Sequence, residues 1–342
     1  MVYLRNIIIL LLLILTFNLK ACTTNKEPVS QSNFFMGTLV NLTLYDKTDE
    51  KIFQKIFNEI SKIEKQLSLN ITTSEINEIN NNAGIKPVKV SESTFNIIEK
   101  SIEISELSNG YFDITIGPLV QLWDIGTANA KVPTETEINS TIKLINFNNI
   151  ILDSSNSSVY LEKEDMIIDL GGIAKGYIAD IICNILIEEG VEKAIIDLGG
   201  NIFALGEKSN KAPWNIGIQN PFENRGVPLG TLEISNKSIV TSGIYERFFE
   251  EDGVKYHHIL NPKTGYPFNN DLSSVTIISD KSLDGDALST AVFALGFSEG
   301  LKLIESLENV DAIFVTTDKE VFLSSNIKSN FNLIDNSFKL IE

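Results

Sequence analysis

The chain has 342 residues, 43% of them hydrophobic and 21% charged, which is enough apolar side chain for one large domain or two intimate ones and excludes global disorder. Its 28 basic residues against 45 acidic ones give a net charge of −17, and no segment shows a basic patch, so neither a nucleic-acid-binding surface nor a polyanionic partner is expected. Two cysteines, Cys22 and Cys183, and two adjacent histidines, His257 and His258, exclude a disulfide framework, a thiolate-rich zinc or iron–sulfur centre and a multi-histidine metal site.

Arg5 precedes an apolar run from Ile7 to Phe17, the length of a signal-peptide core and shorter than the ~20 residues that span a bilayer. The run ends in Leu19-Lys20-Ala21-Cys22, which resembles a bacterial lipobox except at Lys20, where an uncharged residue is usual. Residues 1–21 are therefore predicted to be a lipoprotein signal peptide and Cys22 the lipid-bearing residue, with an uncleaved anchor or a plain secretory signal as the competing readings. Residues 22–32, polar and containing Pro28, read as a tether, and residues 33–342 as the catalytic unit. The protein is expected to be exported and lipid-anchored on the outer face of the cytoplasmic membrane, the periplasmic side where an outer membrane exists. With Cys22 acylated, Cys183 has no partner and reads as a buried, inert thiol.

Phe34 to Tyr45 is rich in β-formers and reads as the first strand, with Met36-Gly37-Thr38 near its start. From Asp49 to Leu69 the apolar residues Ile52, Phe53, Ile56, Phe57, Ile60, Ile63 and Leu67 recur at helical spacing. A second helix is predicted from Ser91 to Leu107, stopped by Asn109-Gly110, and a third from Thr134 to Leu144. Between these two lies Tyr111 to Pro118, too irregular for either period, which reads as a site loop. Two echoing segments, Ile167-Ile168-Asp169-Leu170-Gly171-Gly172 and Ile195-Ile196-Asp197-Leu198-Gly199-Gly200, read as strands ending in glycine turns. A helix is predicted from Ile173 to Glu189, a strand at Ile202 to Leu205, and antiparallel sheet from Trp214 to His258 with a turn at Glu251-Asp252-Gly253. Helices at Leu283–Leu295 and Ser298–Leu307 and two last strands, Ala312–Thr316 and Val321–Leu323, close the chain. No Gly-, Pro- or Ser-rich linker divides residues 33–342. The expected fold is α+β, a single two-lobed unit with mixed and antiparallel sheets flanked by helices.

Three segments could carry chemistry. Asp169 to Tyr177 is a glycine turn opening a helix, with Lys175 in its first turn. Free N–H groups, the positive end of the helix dipole and an ammonium favour a phosphate. A tight packing corner is the equal alternative. Asp286 and Thr290 lie one helical turn apart on one face, a carboxylate and a hydroxyl suited to a hard cation such as Mg²⁺, although an acid near a helix start is more often a cap. His257-His258 and the Asn261-Pro262-Lys263-Thr264-Gly265 loop after them offer the only imidazoles for proton transfer, although ordinary strand residues are the blander reading.

Taken in order, the segments resemble the FAD:protein FMN transferase family, the ApbE-like flavin transferases. The matching motifs are Met36-Gly37-Thr38, Phe112-Asp113-Ile114-Thr115-Ile116-Gly117-Pro118-Leu119, Asp169-Leu170-Gly171-Gly172-Ile173-Ala174-Lys175-Gly176-Tyr177, Thr241-Ser242-Gly243, His258-Ile259-Leu260-Asn261-Pro262-Lys263-Thr264-Gly265 and Asp286-Ala287-Leu288-Ser289-Thr290-Ala291. The resemblance implies Mg²⁺-dependent transfer of the FMN half of FAD to a threonine of a client protein, within an Asp-(Gly/Ser)-(Ala/Ser)-Thr motif, with release of AMP. It implies metal ligands at Asp286, Thr290 and the main-chain carbonyl of Gly172, and an FAD site comprising Met36, Asn70, Tyr111, Phe112, Asp113, Asp169, Lys175 and Ile259. His258 is the candidate base, and Asp286 is counted with it as catalytic. Two positions depart from the family pattern. Asn261 stands where Asp is usual and Asn70 where a tyrosine is common, and the smaller amide at residue 70 predicts appreciable hydrolysis of FAD to FMN and AMP. A non-catalytic FAD-binding lipoprotein is the remaining alternative.

Overall fold

The computed structural model of the chain describes residues 27–208 and 210–341. The predicted signal peptide and Cys22 lie outside these residues.

The first strand of the sequence reading is instead a hairpin. β1 (Val29–Phe35) pairs antiparallel with β2 (Thr38–Leu44), and the Met36-Gly37 turn has φ of 48° and 72° at its two residues. Two positive φ values give the turn whose twist matches antiparallel strands. Methionine in the left-handed region carries no sequence signal for such a turn, which explains the missed break. Val29 to Ser32, read as tether, are part of β1.

Helix α1 (Glu50–Leu67) starts where the Asp49 side chain accepts from the Lys51 N–H, and it buries Ile52, Phe53, Ile56, Ile60, Ile63 and Leu67. The short helix α2 (Glu75–Asn81), not anticipated, is capped by Ser74. After the two-residue strand β3 (Val88–Lys89), α3 (Glu92–Leu107) begins at its Ser91 cap as the sequence suggests. The irregular Tyr111 segment runs into α4 (Gly117–Trp123), unforeseen because Gly-Pro reads as a breaker, although proline is well suited to a first helical turn. α5 (Glu135–Thr141) opens with a reciprocal cap between Thr134 and Glu137.

Strands β4 (Ile150–Asp153) and β5 (Ser158–Leu161) join β3 in a small sheet. Ile167 to Asp169, expected as a strand, makes only one parallel bridge, Ile116 to Ile167. Its neighbour, Ile114 to Gly117, bonds it through Asp169 N–H and the Ile167 carbonyl and then turns into α4, while the Asn80 side chain takes the Ile168 N–H and carbonyl, so no longer ladder forms. α6 (Ala174–Glu188) follows the first glycine turn, and β6 (Ala194–Leu198) and β7 (Asn201–Leu205) flank the second.

The antiparallel region predicted from Trp214 to His258 resolves into β8 (Trp214–Gln219), β9 (Pro228–Ile234), β10 (Lys237–Gly243), β11 (Phe248–Glu251) and β12 (Val254–His257), and a strand not anticipated, β13 (Leu272–Ser279), follows it. α7 (Ser282–Ser306) is broken at Gly296, whose φ of 75° and ψ of 176° leave the helical region, so the two helices of the sequence reading stand on either side of this break, Leu283–Leu295 before it and Ser298–Leu307 after it. β14 (Val310–Thr316) and β15 (Glu320–Leu323) do not end the chain, because β16 (Phe331–Leu333) and β17 (Lys339–Ile341) follow.

Nine strands form the main sheet in the order β1-β2-β6-β7-β10-β13-β14-β15-β17, antiparallel except for β15 with β17. Every residue of β13 is buried. Alternation along the strand sends Val275 and Ile277 to the core shared with α6 and α7, while Ile278 faces a second core with Trp214, Leu232 and Phe331. The architecture is the expected α+β, with mixed and antiparallel sheets and helices packed on them.

Candidate active site

Helices α6 and α7 lie against each other at Gly176. A Cβ there would come within 2.7 Å of the Asp286 Cβ, so only glycine permits this approach. The closeness lets the Gly176 N–H donate to Asp286 Oδ2 at 2.8 Å. Asp286 is 4% exposed, and its other oxygen sits 3.5 Å from Lys175 Nζ. Lys175 in turn donates to the Gly171 carbonyl at 3.4 Å.

One helical turn further along α7, Thr290 Oγ1 is 3.3 Å from Ser242 Oγ on β10, which also bonds Ser289 Oγ at 2.8 Å. A Cβ on Gly172 would lie 3.6 Å from Thr290 Oγ1 and 3.3 Å from the Phe112 ring, so the glycine turn, α7 and the Phe112 segment converge. Asp286, Thr290 and Gly172 are thus brought together. No group of three or more His, Cys, Asp or Glu side chains able to hold a metal occurs among the described residues. One carboxylate, one hydroxyl and peptide carbonyls suit a hard cation that retains water and phosphate oxygens, and do not suit zinc.

Asp169 Oδ1 accepts from the Gly171 N–H at 2.7 Å and so closes the glycine turn. Burial pushes its carboxyl upward, opposed by that N–H and by the charges of Arg247 and Lys175. The buried Phe112 is held in place by its neighbour. Asp113 accepts from Thr115 N–H and Oγ1 at 2.8 and 2.7 Å and from Phe147 N–H at 2.9 Å, which pins two loops together. These bonds oppose the upward push of burial on its carboxyl. With both oxygens engaged, Asp113 holds these two loops together. Tyr111 carries Lys263 Nζ 3.8 Å above its ring centroid, joining this segment to the Asn261–Gly265 loop. Ile259 is buried, and its carbonyl accepts from Phe268 N–H at 3.0 Å.

Met36 sits half-buried in the hairpin turn, its N–H on Glu64 Oε1 at 2.6 Å. Asn70 is exposed beyond the end of α1. Met36, Tyr111 and the Leu69 that precedes Asn70 border the main core. No hydrogen bond among the described residues links Met36 or Asn70 to the Asp286–Thr290 pair.

His258 directs both its N–H and its Nδ1 to the Arg247 carbonyl, at 3.1 and 3.2 Å. A carbonyl only accepts, so Nδ1 carries the hydrogen and Nε2 keeps a free lone pair. Burial, then the Arg247 charge, pushes the imidazole down to about 3. Asn261 does not orient this ring; its Oδ1 accepts from Lys263 N–H at 2.8 Å and Thr264 N–H at 3.3 Å as a turn former. His257 is locked elsewhere, its Nε2 on the Phe268 carbonyl at 2.8 Å and its Nδ1 accepting from Ile259 N–H at 3.3 Å.

Sequence reasoning assigned no role to Ser242 and missed Arg247. One signal was available for the latter: Arg5, Arg225 and Arg247 are the only arginines in a strongly acidic chain.

A sequence profile of the ApbE family matches residues 36–314, most of the chain. The chain belongs to the ApbE family. An ApbE relative from Klebsiella pneumoniae, an FAD:protein FMN transferase, is 41% identical over 319 residues, 93% of this chain and 99% of the relative. Another FAD:protein FMN transferase, from Treponema pallidum, is 36% identical over 328 residues, 91% of each. Among solved ApbE structures, the flavin transferase of Vibrio cholerae superposes with a TM-score of 0.80 at 28% identity, covering 89% of this chain and 99% of that one. The ApbE protein of Thermotoga maritima gives 0.82 at 31% identity over the same shares. The six motifs, from Met36 to Ala291, all lie within the residues the family profile matches.

Proposed function

We propose that this ApbE-family protein is an FAD:protein FMN transferase that uses Mg²⁺ to move the FMN half of FAD onto a threonine hydroxyl of a client protein, releasing AMP. The observation that carries the reading is the convergence of a buried carboxylate, Asp286, with Thr290 and the Gly172 turn beside the start of α6, where Lys175 stands. A divalent cation held by Asp286, Thr290 and the Gly172 carbonyl would neutralise charge building on the phosphoryl oxygens.

The residues of the chain divide the remaining work. Lys175 and the glycine turn receive the diphosphate, while Met36, Tyr111, Phe112 and Ile259 enclose the flavin and Asp113 and Asp169 fix the loops that carry them. The threonine Oγ forms a bond to the FMN-side phosphorus as the bond from that phosphorus to the bridging oxygen breaks. AMP leaves with the bridging oxygen. His258, with its free Nε2, takes the hydroxyl proton.

The test is to incubate the protein with FAD, Mg²⁺ and a client fragment bearing Asp-(Gly/Ser)-(Ala/Ser)-Thr, then weigh the fragment. A covalent FMN adduct that disappears in Asp286→Ala supports the transferase. Flavin bound only without covalent attachment sinks it and leaves an FAD-binding lipoprotein. A second reading, hydrolysis of FAD to FMN and AMP, is favoured by the exposed Asn70, an amide that covers little of a bound ring. AMP formed without a client measures it. We further propose export and a lipid anchor at Cys22, in keeping with clients at the membrane; metabolic labelling with a fatty acid, lost in Cys22→Ala, tests this.

A further inference from the structure

Helix α7 carries both side chains on which the proposed cation depends, yet its own sequence does not cap it. Lys281, at the cap position, makes no side-chain hydrogen bond to the first turn. The N–H groups opening a helix need acceptors, and two of these find theirs on another helix. Asp180 of α6 accepts from Ser282 N–H at 2.7 Å and from Leu283 N–H at 2.9 Å, placing a carboxylate at the positive end of α7. Buried side chains brace the same turn. Ser282 Oγ donates to Asn201 Oδ1 and accepts from Ser238 Oγ, at 2.7 and 2.9 Å, and Ser279 Oγ donates to the Lys281 carbonyl at 2.7 Å.

Asp180 follows Gly176 by four residues, so both occupy one face of α6. That face therefore grips α7 at two levels a helical turn apart, Gly176 on Asp286 and Asp180 on Ser282 and Leu283. A single contact would fix only the distance between the helices. Two contacts also fix the roll of α7 about its axis, and the roll decides whether Asp286 and Thr290 aim at a common point.

We propose that Asp180 is a positioning residue which, by capping α7 from α6, sets the divalent-cation affinity of the Asp286–Thr290 pair without touching the ion. The inference rests on the Mg²⁺ reading given under Proposed function. Its test is FAD binding, followed by flavin fluorescence at increasing Mg²⁺, in the native protein and in Asp180→Ala, Asp180→Asn and Thr134→Ala. The last removes an exposed cap from α5 and controls for the loss of any helix cap.

Asp180→Ala is expected to need about tenfold more Mg²⁺ for half-maximal tightening of FAD binding, as for other partners that orient metal ligands, with Mg²⁺-free affinity unchanged. Asp180→Asn, which keeps one acceptor oxygen, should fall between, and Thr134→Ala should match the native protein. Should Asp180→Ala not fold, the Asp180→Asn titration decides. An unshifted Mg²⁺ midpoint in the Asp180 variants overturns the proposal, as does an equal loss of FAD affinity with and without Mg²⁺. A native protein whose FAD binding ignores Mg²⁺ overturns the underlying reading, and the proposal with it.

Discussion

At the scale of single residues, protonation states are set by neighbours remote in sequence. His258 is an unremarkable strand-end histidine in the sequence, and its tautomer follows from the Arg247 carbonyl eleven residues away. Because its folded value lies at about 3, the ring is neutral throughout the physiological range, with Nε2 unprotonated. Transfer measured from pH 5 to 8 should therefore show no acid limb near 6.5, the usual histidine value. Such a limb, abolished in His258→Gln, would contradict the assignment. His258→Ala should lower kcat by about 10²-fold or more while leaving FAD affinity intact, as expected for loss of a general base. Cys183 illustrates the opposite case: it is buried, as read from composition, and burial pushes its thiol up to about 12, with the Asp180 charge adding to the rise.

At the scale of elements, caps and apolar spacing were legible, and dependence on partners was not. Asp49, Ser91 and Thr134 announce α1, α3 and α5 because each cap bonds within its own first turn. The start of α7 is different, since its cap comes from Asp180, a hundred residues earlier. Burial raises the Asp180 carboxyl to about 6, with Asp284 adding to the rise and Lys281 and the two N–H bonds opposing it. The facing groups also include Cys183, neutral in this range. An acid raised by folding binds more protons folded than unfolded, so its contribution to stability is complete below its unfolded value and lost as pH climbs to about 6. His258, depressed by folding, acts with the opposite sign between about 3 and its unfolded value. The melting temperature of Asp180→Asn minus that of the native protein, followed from pH 4 to 7, should therefore rise with pH; a flat difference refutes the shift. Gly176→Ala should cost about 1–3 kcal/mol through overpacking, measured by urea unfolding, and should weaken Mg²⁺ dependence by separating Asp286 from the Gly176 N–H.

At the scale of the molecule, the main sheet divides the apolar residues into two principal cores, with the site at the edge of the larger one. Helix α7 is long and apolar enough in composition to cross a membrane, yet it is broken at Gly296 and packed on the sheet. Phe314 on β14 is fully buried, with its ring edge-on to Phe297 at 5.4 Å. Phe314→Ala should destabilise the protein by about 3–5 kcal/mol in urea unfolding while the folded fraction keeps native FAD affinity, because the site lies elsewhere on the sheet.

Local rules determined what the sequence could say alone. The i, i+4 spacing of Asp286 and Thr290, the glycine turn before α6, and the periodicity of α1, α3 and α6 depend on residues close in the chain, and ordered motifs along it gave the family. The tertiary structure alone decided which strands pair, that Met36 and Gly37 turn the chain back, and that Gly176, Asp180, Ser242 and Arg247 meet residues from distant segments. Contacts between distant segments depend on the packing of a whole sheet against its helices, and no local spacing of residues encodes that packing.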